Sequence, residues 1–191
     1  MMRNEKLFLF IVFLIISIVS CSNNGDVSMF LLSATSNYPL SQSYDYGPHP
    51  RIDFVLKVVN KSSHDIALPL AGRMECLNSM FRLKFVNHYN DTLSVNLCNM
   101  TCSDYVVIPK YQSDSFALTT DSRMLRFVNQ ACDSTYMGFF MKKIVANGEV
   151  VFGGSGESID ILGRKYKIPN RLIVKRAKGF VYETPDEPSS D

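Results

Sequence analysis

Five cysteines hold most of the reactive chemistry this sequence offers: Cys21, Cys76, Cys98, Cys102 and Cys132. Cys21 stands apart, directly behind a long apolar run. The other four form an even set, which in an oxidising compartment reads as a disulfide framework. Four cysteines allow three pairings, and the sequence does not choose among them. Cys98 and Cys102 flank only Asn99-Met100-Thr101, a spacing that can place two thiols across a tight hairpin at bridging distance. Cys76 would then meet Cys132, closing a loop worth a few kcal/mol on an entropic model.

Other nucleophiles and bases lack their partners. Gly153-Gly154-Ser155-Gly156-Glu157-Ser158 has Glu157 where a nucleophile elbow needs glycine, and it lacks the Gly-Lys-Ser/Thr ending of a phosphate loop. It reads as a hairpin turn. His49, His64 and His88 fall in three separate loops with no ligand spacing between them, and a catalytic histidine needs neighbours that do not emerge here. The expectation is a protein that is not an enzyme and needs no cofactor.

The apolar run says where these groups reside. Arg3 and Lys6 precede Leu7–Val19, thirteen residues interrupted only by Ser17. This is the charged then apolar pattern of an export signal, and it is too short for a membrane-spanning helix of about 20 residues. Ile18, Ser20 and Cys21 occupy the positions of the bacterial lipobox, and residues 1–21 resemble a bacterial lipoprotein signal. The resemblance implies cleavage after residue 20 and lipidation of Cys21. Competing expectations are an ordinary signal cleaved after Ser22, releasing a soluble protein, and an uncleaved short anchor.

Removing residues 1–20 leaves a chain of single-domain size. Without Arg3, Lys6 and Glu5, the twenty basic and eighteen acidic residues balance to a net charge of +1. So small an excess argues against nucleic acid as a partner. Residues 21–26 read as a lipidated polar tether. Short runs rich in aromatic and β-branched residues then fill 27–182, and the acidic tail 183–191, with Pro185 and Pro188, reads as disordered.

The clearest strand is Arg51–Asn60, with Ile52, Phe54, Leu56 and Val58 on one face. The polar turn Asn60–Asp65 follows, then a returning strand Ile66–Leu70 in which Pro69 points to a sheet edge. Further strands are expected at 27–32, 80–86, 92–97, 105–109, 115–119, 149–152, 160–162 and 171–174. Tyr136, Phe139, Phe140 and Ile144, flanked by Met137 and Met141, approximate a helical stripe over 134–146, with Gly148 as its stop. A mainly β domain follows, an antiparallel sandwich with one short helix laid over one end. The hairpin Asn60-Lys61-Ser62 to Ile66 resembles that of bacterial immunoglobulin-like lipoprotein modules, so an immunoglobulin-like sandwich is the specific expectation.

Two surfaces could bind rather than react. The loop 37–50 carries Tyr38, Tyr44 and Tyr46, whose rings could stack on a sugar; covering a sheet edge is the simpler use of such a loop. From Ile161 to Tyr182 there are seven basic residues and no acidic one: Arg164, Lys165, Lys167, Arg171, Lys175, Arg176 and Lys178. Such a stripe suits an anionic glycan, a lipid headgroup or an acidic envelope protein, although lysines on edge strands also serve simply to prevent aggregation.

Two resemblances sharpen the alternatives. Cys98 and Cys102 with His88 are similar to the copper site of thioredoxin-fold metallochaperones, which implies a thiol- or copper-handling envelope protein; no proline follows the second cysteine and no βαβ pattern surrounds the pair. Asp91-Thr92-Leu93 and Asp133-Ser134-Thr135 resemble O-glycosylation acceptors of exported Bacteroidetes proteins. Taken together, the chain resembles a Bacteroidetes-like lipoprotein, anchored to the membrane through Cys21, on the outer membrane, and acting as a binding or scaffolding module.

Overall fold

The computed structural model describes residues 26–37, 51–71, 78–86, 90–99, 103–120 and 134–184. Twelve strands and one helix occupy them in the order β1 (Val27–Asn37), β2 (Arg51–Asn60), β3 (Ile66–Pro69), β4 (Phe81–Val86), β5 (Thr92–Asn99), β6 (Tyr105–Ile108), β7 (Ser113–Thr120), α1 (Ser134–Asn147), β8 (Glu149–Ser155), β9 (Ser158–Ile161), β10 (Arg164–Lys167), β11 (Asn170–Ile173) and β12 (Lys175–Glu183). The fold is mainly β and of the sandwich class.

Alternation builds the core. In β2, Ile52, Phe54, Leu56 and Val58 are each no more than 1% exposed, and each such side chain contributes about 1.5–3 kcal/mol by leaving water. Phe81, Leu83 and Phe85 do the same in β4, and Phe152 joins them from β8. The Phe81 ring lies 4.8 Å from Phe152 and meets Phe116 edge-on at 5.7 Å. Phe81 and Phe116 belong to strands separated by β5, so the sheet must curl inward to bring their rings together.

That curl is strong. The larger sheet runs β11-β8-β4-β5-β7-β2-β1-β12 and the smaller β6-β3-β10-β9. The two edge strands of the larger sheet, β11 and β12, are separated in the chain by Val174 alone. Val174 is buried, and its N–H donates to the Val150 carbonyl of β8 at 2.8 Å, while the next residue, Lys175, pairs with Phe30 of β1. One continuous stretch thus leaves one edge and closes onto the other. Within the sandwich class this arrangement has two distinctive features. An immunoglobulin domain divides its strands nearly evenly and pairs them antiparallel; here the sheets hold eight and four strands, and β1–β12 and β3–β10 are parallel.

Pro69 sits in β3 as expected of a local edge. β10 reaches β3 only at the pair Lys167–Ile66, so nothing on that side asks Pro69 for an N–H.

The glycine-rich segment departs from expectation. Gly153 to Gly156 do not reverse the chain. β8 pairs with β11 as far as Ser155–Asn170, the Ile168 N–H then donates to Glu157, and β9 pairs with β10 up to Ile161–Arg164. One long hairpin therefore passes from the larger sheet into the smaller, and the glycines are its bend. A Cβ on Gly154 would lie 1.9 Å from the Pro169 carbonyl oxygen, and Gly156 has φ +75°. The reversal occurs instead at Leu162-Gly163, both with positive φ.

Helix α1 spans Ser134–Asn147, close to the expected limits, and buries Met141, Ile144 and Val145 in the core. Gly148 ends it through close approach: its N–H bonds the Ile144 carbonyl, and a Cβ there would lie 2.9 Å from Leu83 Cδ1.

Candidate functional site

Several residues singled out from sequence lie outside the described residues: Cys21, Tyr38, Tyr44, Tyr46, Cys76, Cys102 and Cys132. Cys98 is described. It ends up 2% exposed near the close of β5, opposite Thr119.

The seven basic residues fall on three strands. Arg164, Lys165 and Lys167 lie on β10 in the smaller sheet, Arg171 on β11, and Lys175, Arg176 and Lys178 on β12. The run thus spans both sheets, with Val174, where the larger sheet closes, between Arg171 and Lys175.

Arg176 is held by the fold. Its guanidinium donates to the carbonyl oxygens of Val145 and Ala146 at the end of α1, the latter at 2.6 Å, and lies 5.0 Å from the Phe180 ring centroid. A cation on the last carbonyls of a helix satisfies acceptors that have no partner within the helix and opposes the negative end of its dipole. Between Arg176 and Val181 the strand bulges away from β1, with Gly179 at φ +88°. Arg176→Ala is expected to cost about 1–2 kcal/mol, and Arg176→Lys less, because one guanidinium nitrogen makes both bonds and an ammonium carries donors enough for the same two carbonyls. Urea unfolding midpoints at constant slope measure both.

Lys175 faces a different neighbourhood. It is in register with Phe30 of β1, and Phe30 is in turn in register with Lys57 of β2. Met29 and Leu31 point into the core, so Phe30 and its two lysine neighbours share the outer face. Lys175 is exposed; Phe30 and Lys57 are half-buried. The next row on that face is Val181, Ser33, Val55 and Ala117, in which Val181 is 49% and Val55 36% exposed. An apolar floor with an aromatic ring between two ammonium groups can take a ligand with an apolar face and a negative substituent, since strand spacing puts each lysine about 5 Å from the ring's own strand.

Sequence reading named Lys175 but passed over Phe30 and Lys57. Their partnership depends on the parallel return of β12 beside β1, which no local pattern announces. The alternation in β2 does show Lys57 facing outward, and that was the one signal available.

A dent lined by Asp26, Ser62, His64, Lys167 and Asn170 over an apolar base has a volume of about 40 Å³. Small-molecule sites are roughly 300–1,000 Å³, so this one has room for water and no organic substrate. Among the described residues no group of three or more His, Cys, Asp or Glu side chains could hold a metal ion, and no helix is long and apolar enough to cross a membrane.

No family model, curated protein or solved structure matches this chain. The functional reading therefore rests on the residues themselves.

Proposed function

We propose that this chain is a non-catalytic envelope lipoprotein, anchored through lipid on Cys21, whose sandwich binds an anionic glycan on the outer face of β2, β1 and β12. The observation that carries this reading is the cross-strand row Lys57–Phe30–Lys175. The ring supplies the apolar surface on which a sugar stacks, and the flanking ammonium groups pair with its carboxylate, sulfate or phosphate. The row of Val55 and Val181 beside it extends the apolar floor.

Charge reversal separates this reading from a merely solvated face. Lys57→Glu and Lys175→Glu should each weaken binding to an acidic polysaccharide about tenfold or more, and wild-type affinity should fall with added salt. Lys84→Glu, on β4 well away from the row, should leave affinity unchanged. Binding that ignores both row substitutions, measured by calorimetry on a glycan array hit, removes the site. Mass analysis of the N-terminal peptide tests the anchor separately: an unmodified terminus at Asn23 would mean secretion without lipid.

A further inference from the structure

We infer that the end of the domain where the chain emerges from its tether is a second membrane contact, with Leu162 and Tyr111 entering the lipid surface; this rests on the lipid-anchored reading above. The strand register defines that end. β1 starts there, with the Lys61 N–H donating to the Asp26 carbonyl and Val27 opposite Asn60. The turn between β6 and β7 lies at the same end, because Ile108 pairs with Ile66 and the Asn60 N–H donates to Gln112. β10 runs parallel to β3 and meets it only where Lys167 faces Ile66, the first residue of β3. The remainder of β10, back to Arg164, therefore runs past the end of β3. Three residues of strand carry the hairpin tip about 10 Å beyond it.

What the tips present is unusual. Leu162 is 97% exposed with φ +52°, and Tyr111 is 70% exposed with φ +59°. Glycine, asparagine and aspartate adopt that conformation most cheaply, and Asn90 is the only other non-glycine with positive φ among the described residues. A large apolar side chain that is both strained and fully in water contributes nothing to the core. Its neighbours are cationic: Arg164 and Lys165 follow Leu162, Lys110 precedes Tyr111, and Lys61 lies on the adjoining turn, all exposed. The acidic groups nearby are Asp26, Asp65, Asp114 and Asp160, of which Asp114 accepts the N–H of its own neighbour Ser115. The Asp65 carboxylate accepts the Lys110 N–H at 2.9 Å, and that of Asp160 accepts the Gly163 N–H at 2.9 Å, so these two brace the tips themselves.

An apolar tip with cations set just behind it matches a phospholipid surface, where acyl chains lie beneath phosphates. Tyrosine suits the same depth, with ring in the apolar zone and hydroxyl among headgroups. Distance permits the contact: Asp26 is five residue steps from Cys21, at most about 17 Å, so a lipid on Cys21 holds this end close to the bilayer.

The chain contains no tryptophan, which makes the test direct. The full mature protein carrying L162W, and separately Y111W, is reconstituted into phosphatidylglycerol-containing vesicles whose acyl chains are brominated. V86W serves as reference: Val86 is exposed at the far end of β4, past the level where β7 ends. The expected result is a blue-shifted emission for L162W and Y111W, quenched by the brominated chains several-fold more than V86W. Emission from L162W that stays red and is quenched by aqueous iodide as readily as V86W overturns the inference. Mass analysis of the Cys21 peptide in the same samples keeps the two readings apart. Lipidated protein with an unquenched tip refutes the contact and leaves the anchor standing. Quenching in protein that lacks lipid supports the contact and refutes the anchor.

Discussion

An Asn60→Ala variant is expected to lose about 3 kcal/mol of folding stability. Asn60 is 1% exposed. Its amide nitrogen lies 3.0, 3.1 and 3.1 Å from the carbonyl oxygens of His64, Ile108 and Pro109, and its Oδ1 accepts the Ser62 N–H at 3.0 Å and the Ser62 hydroxyl at 2.6 Å. One side chain thus fastens the β2–β3 turn to the end of β6. Truncation takes the side-chain donor from the buried Ile108 carbonyl and the Oδ1 acceptor from Ser62, while the Pro109 and His64 carbonyls keep the Gln112 N–H and the Ser62 hydroxyl. The isosteric Asn60→Asp tests the directionality of the bonds. Ionised, it faces three carbonyl oxygens with no proton to offer; protonated, it can donate one. Its folded-state pKa should therefore be raised above the unfolded value near 3.9. Such a group retains its stability below the unfolded pKa and loses it as pH rises through the folded one. Melting curves of this variant at acid and neutral pH should separate in that sense, with the wild type showing a smaller difference. Equal destabilisation at both values would mean that the amide donors contribute little.

Gly154→Ala should be at least as damaging, at about 3 kcal/mol or more. The new Cβ would sit 1.9 Å from the Pro169 oxygen and 2.4 Å from the Phe152 ring. Neither can yield: one is backbone, and the other belongs to a core ring that is 0% exposed. The neighbouring Gly153 provides the control. A Cβ there meets only the Met80 oxygen at 3.5 Å, an ordinary contact, so Gly153→Ala should be close to neutral or slightly stabilising through the unfolded chain. Chemical denaturation of the pair reports whether the long hairpin bends at Gly154. Equal midpoints for both variants would move the bend elsewhere.

These two residues show where the sequence was legible and where it was not. Strand β2 could be read residue by residue because one face is apolar and the other polar, and it was found with the expected limits. The β4–β5 hairpin and helix α1 were legible for the same reason, a local period. Asn60 was recognisable as a turn residue whose side chain bonds the nearby backbone, and its Ser62 contact is of that kind; its bonds to Ile108 and Pro109 join residues nearly fifty positions apart and leave no local trace. Gly153–Gly156 looked like a reversal because glycine marks reversals and bends alike. The basic run hid β10 and β12 entirely, since exposed edge strands carry little apolar alternation. With β12 unrecognised, the row that brings Lys175 beside Phe30 could not be inferred.

Val174 has one more consequence, and it concerns timing. β1 is the first of the described strands and pairs on one side with β2, yet its other side waits for β12, the last of them. A chain that emerges N-terminus first cannot shut its larger sheet until β12 has been made. Contacts so distant in sequence slow folding, because the loop between them must be closed before the pairing repays the cost. On the export proposed above, that delay would keep the chain open, and able to thread a narrow pore, until β12 arrives and completes the sheet.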